Sequence, residues 1–172
     1  MENASKALIM AAEILIGVII ISIGVALFTI FSGYSKETVE EIAETQIAEF
    51  NSNFLKYEGH AVTAHEIITV ANYARQNNMK YDDFVKPDNT PRTDLKANEA
   101  SYYIQVIVSN IDKNLIKNTF DPNHFEYATE EEKNAFLKAY SVDGAEQVTF
   151  ESKATISPIT KKVYKIEFKK NN

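Results

Sequence analysis

The amino-acid sequence predicts an α+β protein: an N-terminal transmembrane helix, continuing into an amphipathic helix, then a soluble domain with helices packed on a small antiparallel sheet. Three observations lead to this prediction. Residues 7–31 form a long apolar segment with one charge. Two segments with helical spacing of apolar residues follow, and segments rich in β-branched and aromatic residues come after residue 100. Early helices followed by late strands are typical of the α+β class.

Residues 7–31 are predicted to span a membrane, after a short N-terminal tail over residues 1–6. The only charge in the span is Glu13. As a helix, this segment would be about 37 Å long, and a bilayer core is about 30 Å thick. A single span in lipid must be helical, because its backbone has to satisfy its own hydrogen bonds. The long apolar run and the lack of a small-x-small site favour a retained anchor over a cleaved signal peptide.

The flanking charges indicate the orientation only weakly, since Lys6 precedes the span and Lys36 follows it. The very short tail favours an N-terminus in the cytoplasm and a translocated domain. We therefore expect a single-pass protein of the cell membrane, in contact with the lipid bilayer, with an extracytoplasmic α+β domain over residues 32–172.

A stalk helix is predicted over about residues 35–57. Residues 32–35 are interpreted as a short break or hinge, with Ser35 as the N-cap of the new helix. The alternative is that Gly33 does not interrupt the chain, so that the span and the stalk form one helix. The apolar residues that trace one face of the stalk are Val39, Ile42, Ala43, Ile47, Phe50, Phe54 and Tyr57.

A capping box marks the next helix, because Thr63 is followed three residues later by Glu66. Asn77 and Asn78 are predicted to end this helix, since asparagine tolerates the left-handed conformation. Residues 79–100 are rich in proline, aspartate and asparagine, and are therefore predicted to form a long surface loop.

The strands and a third helix are predicted after this loop. Residues 102–108 have apolar side chains on both faces and are predicted to form a central strand. A second capping box, Thr129 and Glu132, opens a short helix to about Tyr140. The remaining elements are a turn or short strand over 110–118, a turn at 143–144, a strand over 147–152 and a last strand over 163–168. The inward side chains are predicted to be Phe136, Leu137 and Tyr140 in the helix and Tyr164, Ile166 and Phe168 in the last strand.

Composition and motifs argue against several classes of function. The net charge is −6, and a domain with excess acid is a poor nucleic-acid surface, so no nucleic-acid partner is expected. The chain has no cysteine, which excludes disulfides and thiolate chemistry. No nucleophile motif or glycine-rich phosphate loop is present. His60, His65 and His124 lack ligand spacing and are interpreted as surface residues. We therefore expect no enzymatic activity, no metal and no cofactor.

Two further groups of residues are interpreted without assigning a function to them. The acidic residues of the loop include Asp82, Asp83, Asp88 and Asp94, but the loop lacks the central glycine of a calcium-binding EF-hand and is interpreted as solvated. Tyr102 and Tyr103 are interpreted as aromatic side chains that fill the two faces of the central strand.

One face of the span carries the candidate functional residues Glu13, Gly17 and Gly24. These residues lie close to one side of a helix. Small residues let another helix approach closely, although their spacing is not a strict GxxxG. Specific helix association, with a second copy or with a partner membrane protein, and a plain anchor remain equally open alternatives.

The whole chain resembles the type IV pilins and pseudopilins. In that family a short polar leader precedes an apolar helix with one glutamate near its start, and a C-terminal antiparallel sheet follows. Here MENASKA corresponds to the leader, Glu13 to the glutamate, and the segment from Tyr102 onward to the sheet. The resemblance implies that Glu13 pairs with the N-terminal amine of a neighbouring subunit. The start MENASKALIMAAEILI also resembles uncharacterised single-span proteins of Gram-positive bacteria, for which no activity follows.

Two functions are therefore carried forward from the sequence. The first is a structural or assembly protein of the membrane, such as a pilin-like subunit of a surface filament or secretion system. The second is a membrane-tethered binding or accessory module that recruits an extracytoplasmic partner, which a large apolar patch or a polar-lined pocket would favour.

Overall fold

A computed structural model describes residues 2–59, 61–88, 90–92, 94–112, 120–141 and 147–171. The chain forms two compact units, Met1–Gln46 and Ile47–Asn172, and each is described by itself. His60, the predicted turn at 143–144 and residues 113–118 of the predicted turn or strand over 110–118 lie outside the described residues.

The first unit consists of the greater part of helix α1, which extends from Glu2 to Leu55. The predicted break at residues 32–35 is wrong, and the alternative of an uninterrupted helix is correct. Ser35 is therefore not an N-cap, and the Thr38 hydroxyl donates to the Tyr34 carbonyl at 2.9 Å within the helix. One glycine costs a helix only about 1 kcal/mol, so Gly33 alone does not end it.

This helix is long and apolar enough, by length and composition, to cross a membrane near the N-terminus. The mean hydropathy of its most apolar 18 residues is 2.9, and none of that window is buried. The short tail is helical from Glu2 onward, and Lys6 pairs with Glu2 at 2.9 Å.

The second unit confirms the α+β prediction. Its helices are the last turns of α1, α2 (Ala64–Asn78) and α3 (Glu130–Tyr140), and its strands are β1 (Ala61–Val62), β2 (Gln105–Ser109), β3 (Phe150–Ile156) and β4 (Val163–Lys170). The four strands form one sheet in the order β1-β3-β4-β2. The largest fully buried apolar side chains are Phe54, Val62, Ile67, Tyr103, Ile104, Phe125, Phe136, Phe150, Ile166 and Phe168.

The sheet is mixed rather than antiparallel. β3 pairs with β1 and β4 in antiparallel fashion, but β2 pairs with β4 in parallel. β2 is also an edge strand and not the predicted central one. It can be apolar at the edge because the following segment covers it: the Val106 N–H donates to Glu126 and the Val108 N–H donates to the Pro122 carbonyl, both at 2.8 Å.

The last strand has an irregular register near its start. Thr155 faces Lys165 whereas Ile156 faces Val163, so β4 has one extra residue, Tyr164, as in a β-bulge. The bulge turns Val163 into the core and leaves Tyr164 half-buried. The predicted inward positions of Ile166 and Phe168, which follow the bulge, are confirmed.

Both predicted capping boxes are present, Thr63 with Glu66 and Thr129 with Glu132. In α3, the predicted burial of Phe136 and Tyr140 is confirmed, whereas Leu137 is half-buried.

Helix α2 ends at Asn78, as predicted, but the physical reason differs. The following residue, Met79, is right-handed. The two asparagines are buried, and the Asn77 amide donates to the Tyr102 carbonyl at 2.8 Å. Asn78 donates to the Ile104 carbonyl at 3.0 Å and accepts the Ile104 N–H at 2.8 Å. The asparagines therefore fasten the end of α2 to the entry of β2.

The long loop after α2 contains one 3-10 turn, Asp82–Phe84. Aromatic contacts hold it to the domain: the Tyr81 ring stacks on Tyr102 at 5.2 Å, and the Phe84 ring stacks on Tyr103 at 5.5 Å.

Candidate functional sites

The membrane face is the name used here for Glu13, Gly17 and Gly24 of α1. Successive residues of an α-helix are about 100° apart, so Gly17 lies about 40° and Gly24 about 20° around the axis from Glu13. All three residues belong to one uninterrupted helix. The helix therefore brings them to one side, as the sequence spacing predicts.

Beyond the span, the same side of α1 carries no charged residue as far as Ile42. Phe31, Ser35 and Ile42 continue it at the same helical period, and the side chains of Phe31 and Ile42 are exposed. By the same period, Glu37, Glu40 and Glu44 fall on the opposite side. This continuation follows from the absence of a break at Gly33, which the sequence alone leaves open.

The membrane face has room for a close neighbour. A Cβ atom placed on Gly17 or on Gly24 would meet no atom within 4 Å. The hydroxyls of Ser22 and Thr29 donate to the carbonyls of Val18 and Val25 one turn back, at 2.7 and 2.9 Å. These two hydroxyls of the span are thus satisfied within the helix, as a lipid environment requires.

A buried polar cluster lies against β2 in the second unit, and it is called the Glu126 cluster: Tyr103, His124 and Glu126. The Glu126 carboxylate is fully buried, and its Oε2 accepts the Val106 N–H at 2.8 Å. The Tyr103 hydroxyl donates to Oε1. His124 Nδ1 lies 3.1 Å from Oε1 and 2.8 Å from the Tyr103 hydroxyl.

The electrostatics of the cluster favour neutral phenols and a protonated imidazole. Burial, followed by the adjacent Glu126 charge, raises the pKa of Tyr103 well above its usual value. Burial also raises the pKa of Tyr127, which stacks on Tyr103, to about 12. The hydrogen bond to Glu126 raises the pKa of His124, against a smaller opposing effect of burial. Protonated His124 therefore pairs with Glu126 more readily than a solvated histidine would.

The chemistry available to this cluster is limited. Both oxygens of the carboxylate accept hydrogen bonds from protein groups, and a phenol with a raised pKa is a poor base or nucleophile at neutral pH. The cluster instead satisfies the backbone of an edge strand. We assign the cluster a structural role, which is to satisfy the edge of β2.

Sequence reasoning missed this cluster. The interpretation of His124 as a surface residue is wrong, since only 12% of its side chain is exposed. His65 is exposed, as expected. The segment Asp121–Tyr127 has an aspartate, a proline and two aromatic residues around His124 and Glu126, and that pattern was the available signal for a packed turn.

The acidic loop is held together by its own contacts. Asp88 accepts hydrogen bonds from the backbone and hydroxyl of Thr90, which lower its pKa. Asp94 pairs with Arg92 at 2.8 Å, and its pKa is lowered for that reason. The side chain of Asp82 lies outside the described residues. Among the described residues, no three His, Asp or Glu side chains group as metal ligands.

An open groove of about 590 Å³ lies on the exposed side of α2. It is lined by Thr69, Asn72, Tyr73, Arg75, Gln76 and Met79, which all belong to α2 or directly follow it. A groove walled by one helix does not enclose a ligand as binding pockets do. It therefore gives little support to a binding module.

Comparison of the chain with known protein families, with curated proteins and with solved structures gives no match.

Proposed function

We propose that this chain is a single-pass, non-enzymatic membrane protein with a structural or assembly role. Copies associate side by side in the membrane through the membrane face. The observation that carries this proposal is the side of α1 that begins at Glu13 and then carries no further charge through Gly17 and Gly24 to Ile42, with acidic residues opposite. A helix that served only as an anchor would have no need of such a side.

Physical reasons connect the membrane face to a neighbouring helix. Helices in lipid associate through van der Waals packing and polar contacts, and glycines allow their backbones to approach. An ionisable side chain in a span is costly, by about 2.5–3.5 kcal/mol at the bilayer centre and less near an edge, so a polar partner for Glu13 would stabilise a complex.

A pilin-like subunit of a surface filament or secretion system is the specific form of this proposal. A long N-terminal apolar helix followed by a small sheet is compatible with that architecture. Glu13 then pairs with the N-terminal amine of a neighbour, the N-terminal end faces the cytoplasm, and the α+β unit lies outside. The alternative partner of the face is a different membrane protein.

Topology and processing test the specific form. In cells that make the chain, added protease is expected to digest the second unit without lysis. N-terminal sequencing of the mature protein is expected to start at Leu8 or Ile9 if a leader is removed. An intact Met1 would contradict the pilin-like form and leave a plain anchor, and digestion only after lysis would reverse the orientation.

Replacing both glycines of the membrane face with leucine is expected to weaken self-association by about tenfold, which corresponds to about 1.4 kcal/mol. The chain has no cysteine, so Ile20→Cys places a single thiol between the glycines for disulfide crosslinking in membranes. The matched control is Ala11→Leu with Ala26→Leu, which places the same side chains on the opposite side of α1. Equal crosslinking in the two double variants would rule out the membrane face.

A further inference from the structure

The edge of β3 next to β1 is only partly paired. Among the described residues, β1 has two residues and covers β3 only at Phe150 and Glu151. The Gly59 N–H then donates to the Ser152 carbonyl at 3.2 Å. Beyond Ser152, β3 continues to Ile156, so its last part extends past the strand that covers it.

The pairing of β3 with β4 determines which way the backbone groups of β3 point beyond Ser152. Thr149 and Ser157 exchange hydrogen bonds with the β4 side, through Asn171 and Lys162. Because successive residues of a strand alternate, Ala154 and Ile156 direct both N–H and C=O away from β4. In the part of the chain that the structure describes, no hydrogen bond to those outward groups is found.

The unpaired part of the β3 edge, called the open edge, is limited at both ends. The Gly59 contact closes it at Ser152, and Pro158, which has no N–H, follows at the other end. The edge therefore accepts an extended segment of about three residues in one register. Apolar groups lie beside it: the Ile156 side chain is 45% exposed and that of Ile159 is 66% exposed.

We propose that this edge pairs with the same edge of a second copy, in antiparallel fashion about a two-fold axis at Thr155. Ala154 of one copy then faces Ile156 of the other, and each such pair exchanges two hydrogen bonds, four in all. This register places the large Ile156 side chain of one copy opposite the small Ala154 side chain of the other. A second copy also offers an edge of the same length, whereas a longer strand would run into the closed ends.

The charges do not oppose this pairing. Lys153 is the nearest cation on the strand, and the two copies of it would lie about 14 Å apart, since strands rise about 3.4 Å per residue. That distance exceeds the Debye length of about 8 Å at physiological salt. The contact area is far below that of a stable soluble dimer. The pairing therefore rests on the proposed function, in which a shared membrane concentrates the copies.

A cysteine at the two-fold axis tests the inference in membranes that contain the full chain. At Thr155 the two Cα atoms would lie about 4.5 Å apart, within the range for a disulfide. Thr155→Cys is therefore expected to form a covalent dimer under mild oxidation. Lys153→Cys is the matched control, on the same face of the same strand but too distant from its counterpart to bridge. Equal crosslinking at the two positions would overturn the proposal.

Two further substitutions, each combined with Thr155→Cys, test the edge contact more directly. Ala154→Pro removes an outward N–H and leaves the β4 ladder complete, so crosslinking is expected to fall on the order of tenfold, as two hydrogen bonds are lost per dimer. Ile156→Lys places a charge on the exposed edge, and a similar loss is expected. Near-ultraviolet circular dichroism checks that the domain keeps its fold. Unchanged crosslinking in both folded variants would contradict the edge contact.

The membrane-face crosslink separates this inference from the proposed function. Loss of the Thr155→Cys dimer with retention of the Ile20→Cys dimer overturns the edge contact alone. Retention of both the Thr155→Cys dimer and the Ile20→Cys dimer in the variant with leucine at positions 17 and 24 supports the edge contact and overturns the membrane face.

Discussion

Replacing Glu126 with alanine is expected to lower the free energy of unfolding of the second unit by about 3–5 kcal/mol. The substitution leaves the Val106 N–H, the Tyr103 hydroxyl and His124 without their shared acceptor in a dry site. Each buried donor that loses its partner costs about 1–3 kcal/mol. Urea unfolding of the full chain in detergent, followed by near-ultraviolet circular dichroism of tyrosine and phenylalanine, measures the loss.

Two controls separate the carboxylate from general effects at this site. Glu126→Gln keeps one oxygen for the Val106 N–H, so we expect a smaller loss of about 1–2 kcal/mol. Glu131→Ala changes an exposed acid on α3 and is expected to stay within about 0.5 kcal/mol of the parent. A change as small as this in Glu126→Ala would contradict the part we assign to the cluster.

The pH dependence of unfolding gives a second readout of the same cluster. His124 has a raised pKa in the folded state, so its contribution is fully present below its unfolded pKa of about 6.5. The contribution is lost as the pH rises through the folded pKa. The difference in stability between the parent and His124→Gln should therefore shrink as the pH rises above about 6.5. The effect of His124→Gln should not vary with pH when it is made in the Glu126→Gln background.

Local signals account for what the sequence predicts correctly in the second unit. Each capping box places its partners three residues apart, so Thr63 with Glu66 and Thr129 with Glu132 are readable from the chain. The alternation of Ile166 and Phe168 is similarly local. These features depend on neighbours in the sequence and need no knowledge of the remaining fold.

The missed features join distant parts of the chain. Asn78 bonds to Ile104, 26 residues away, and Glu126 bonds to Val106, 20 residues away. The parallel pairing of β2 with β4 joins segments separated by about 60 residues. Asparagine at a helix end and glutamate in a loop are both common in exposed positions. Residue type alone therefore predicts that Asn78 and Glu126 are exposed to solvent.

The membrane face could be predicted because a helical period is a property of the sequence. Its continuation to Ile42 could not, since it depends on whether Gly33 breaks the helix, and a cost of about 1 kcal/mol does not decide that. The open edge of β3 was also out of reach. It depends on the length of β1, which has no clear sequence signal.

Replacing Phe136 with alanine is expected to destabilise the second unit by about 3–5 kcal/mol. Its ring is the centre of an aromatic cluster, with centroid distances of 4.9 Å to Phe125, 5.1 Å to Tyr140, 5.8 Å to Phe150 and 6.2 Å to Phe120. The side chain is fully buried, so the substitution leaves a cavity that close-packed neighbours fill only in part. Phe136→Leu keeps most of the apolar contact and is expected to cost about 1–2 kcal/mol. Urea unfolding in detergent measures both variants.

The same substitution tests whether assembly belongs to α1 or to the domain. The membrane face lies in the first unit and Phe136 in the second, so a destabilised domain should not change the packing of the span. At a urea concentration that unfolds the second unit of Phe136→Ala but not that of Phe136→Leu, we therefore expect Phe136→Ala to retain the Ile20→Cys crosslink in membranes and to lose the Thr155→Cys crosslink, because the β3 edge exists only in the folded sheet. Phe136→Leu should retain both. Loss of the Ile20→Cys crosslink in Phe136→Ala would mean that the folded domain, rather than the membrane face, brings the copies together.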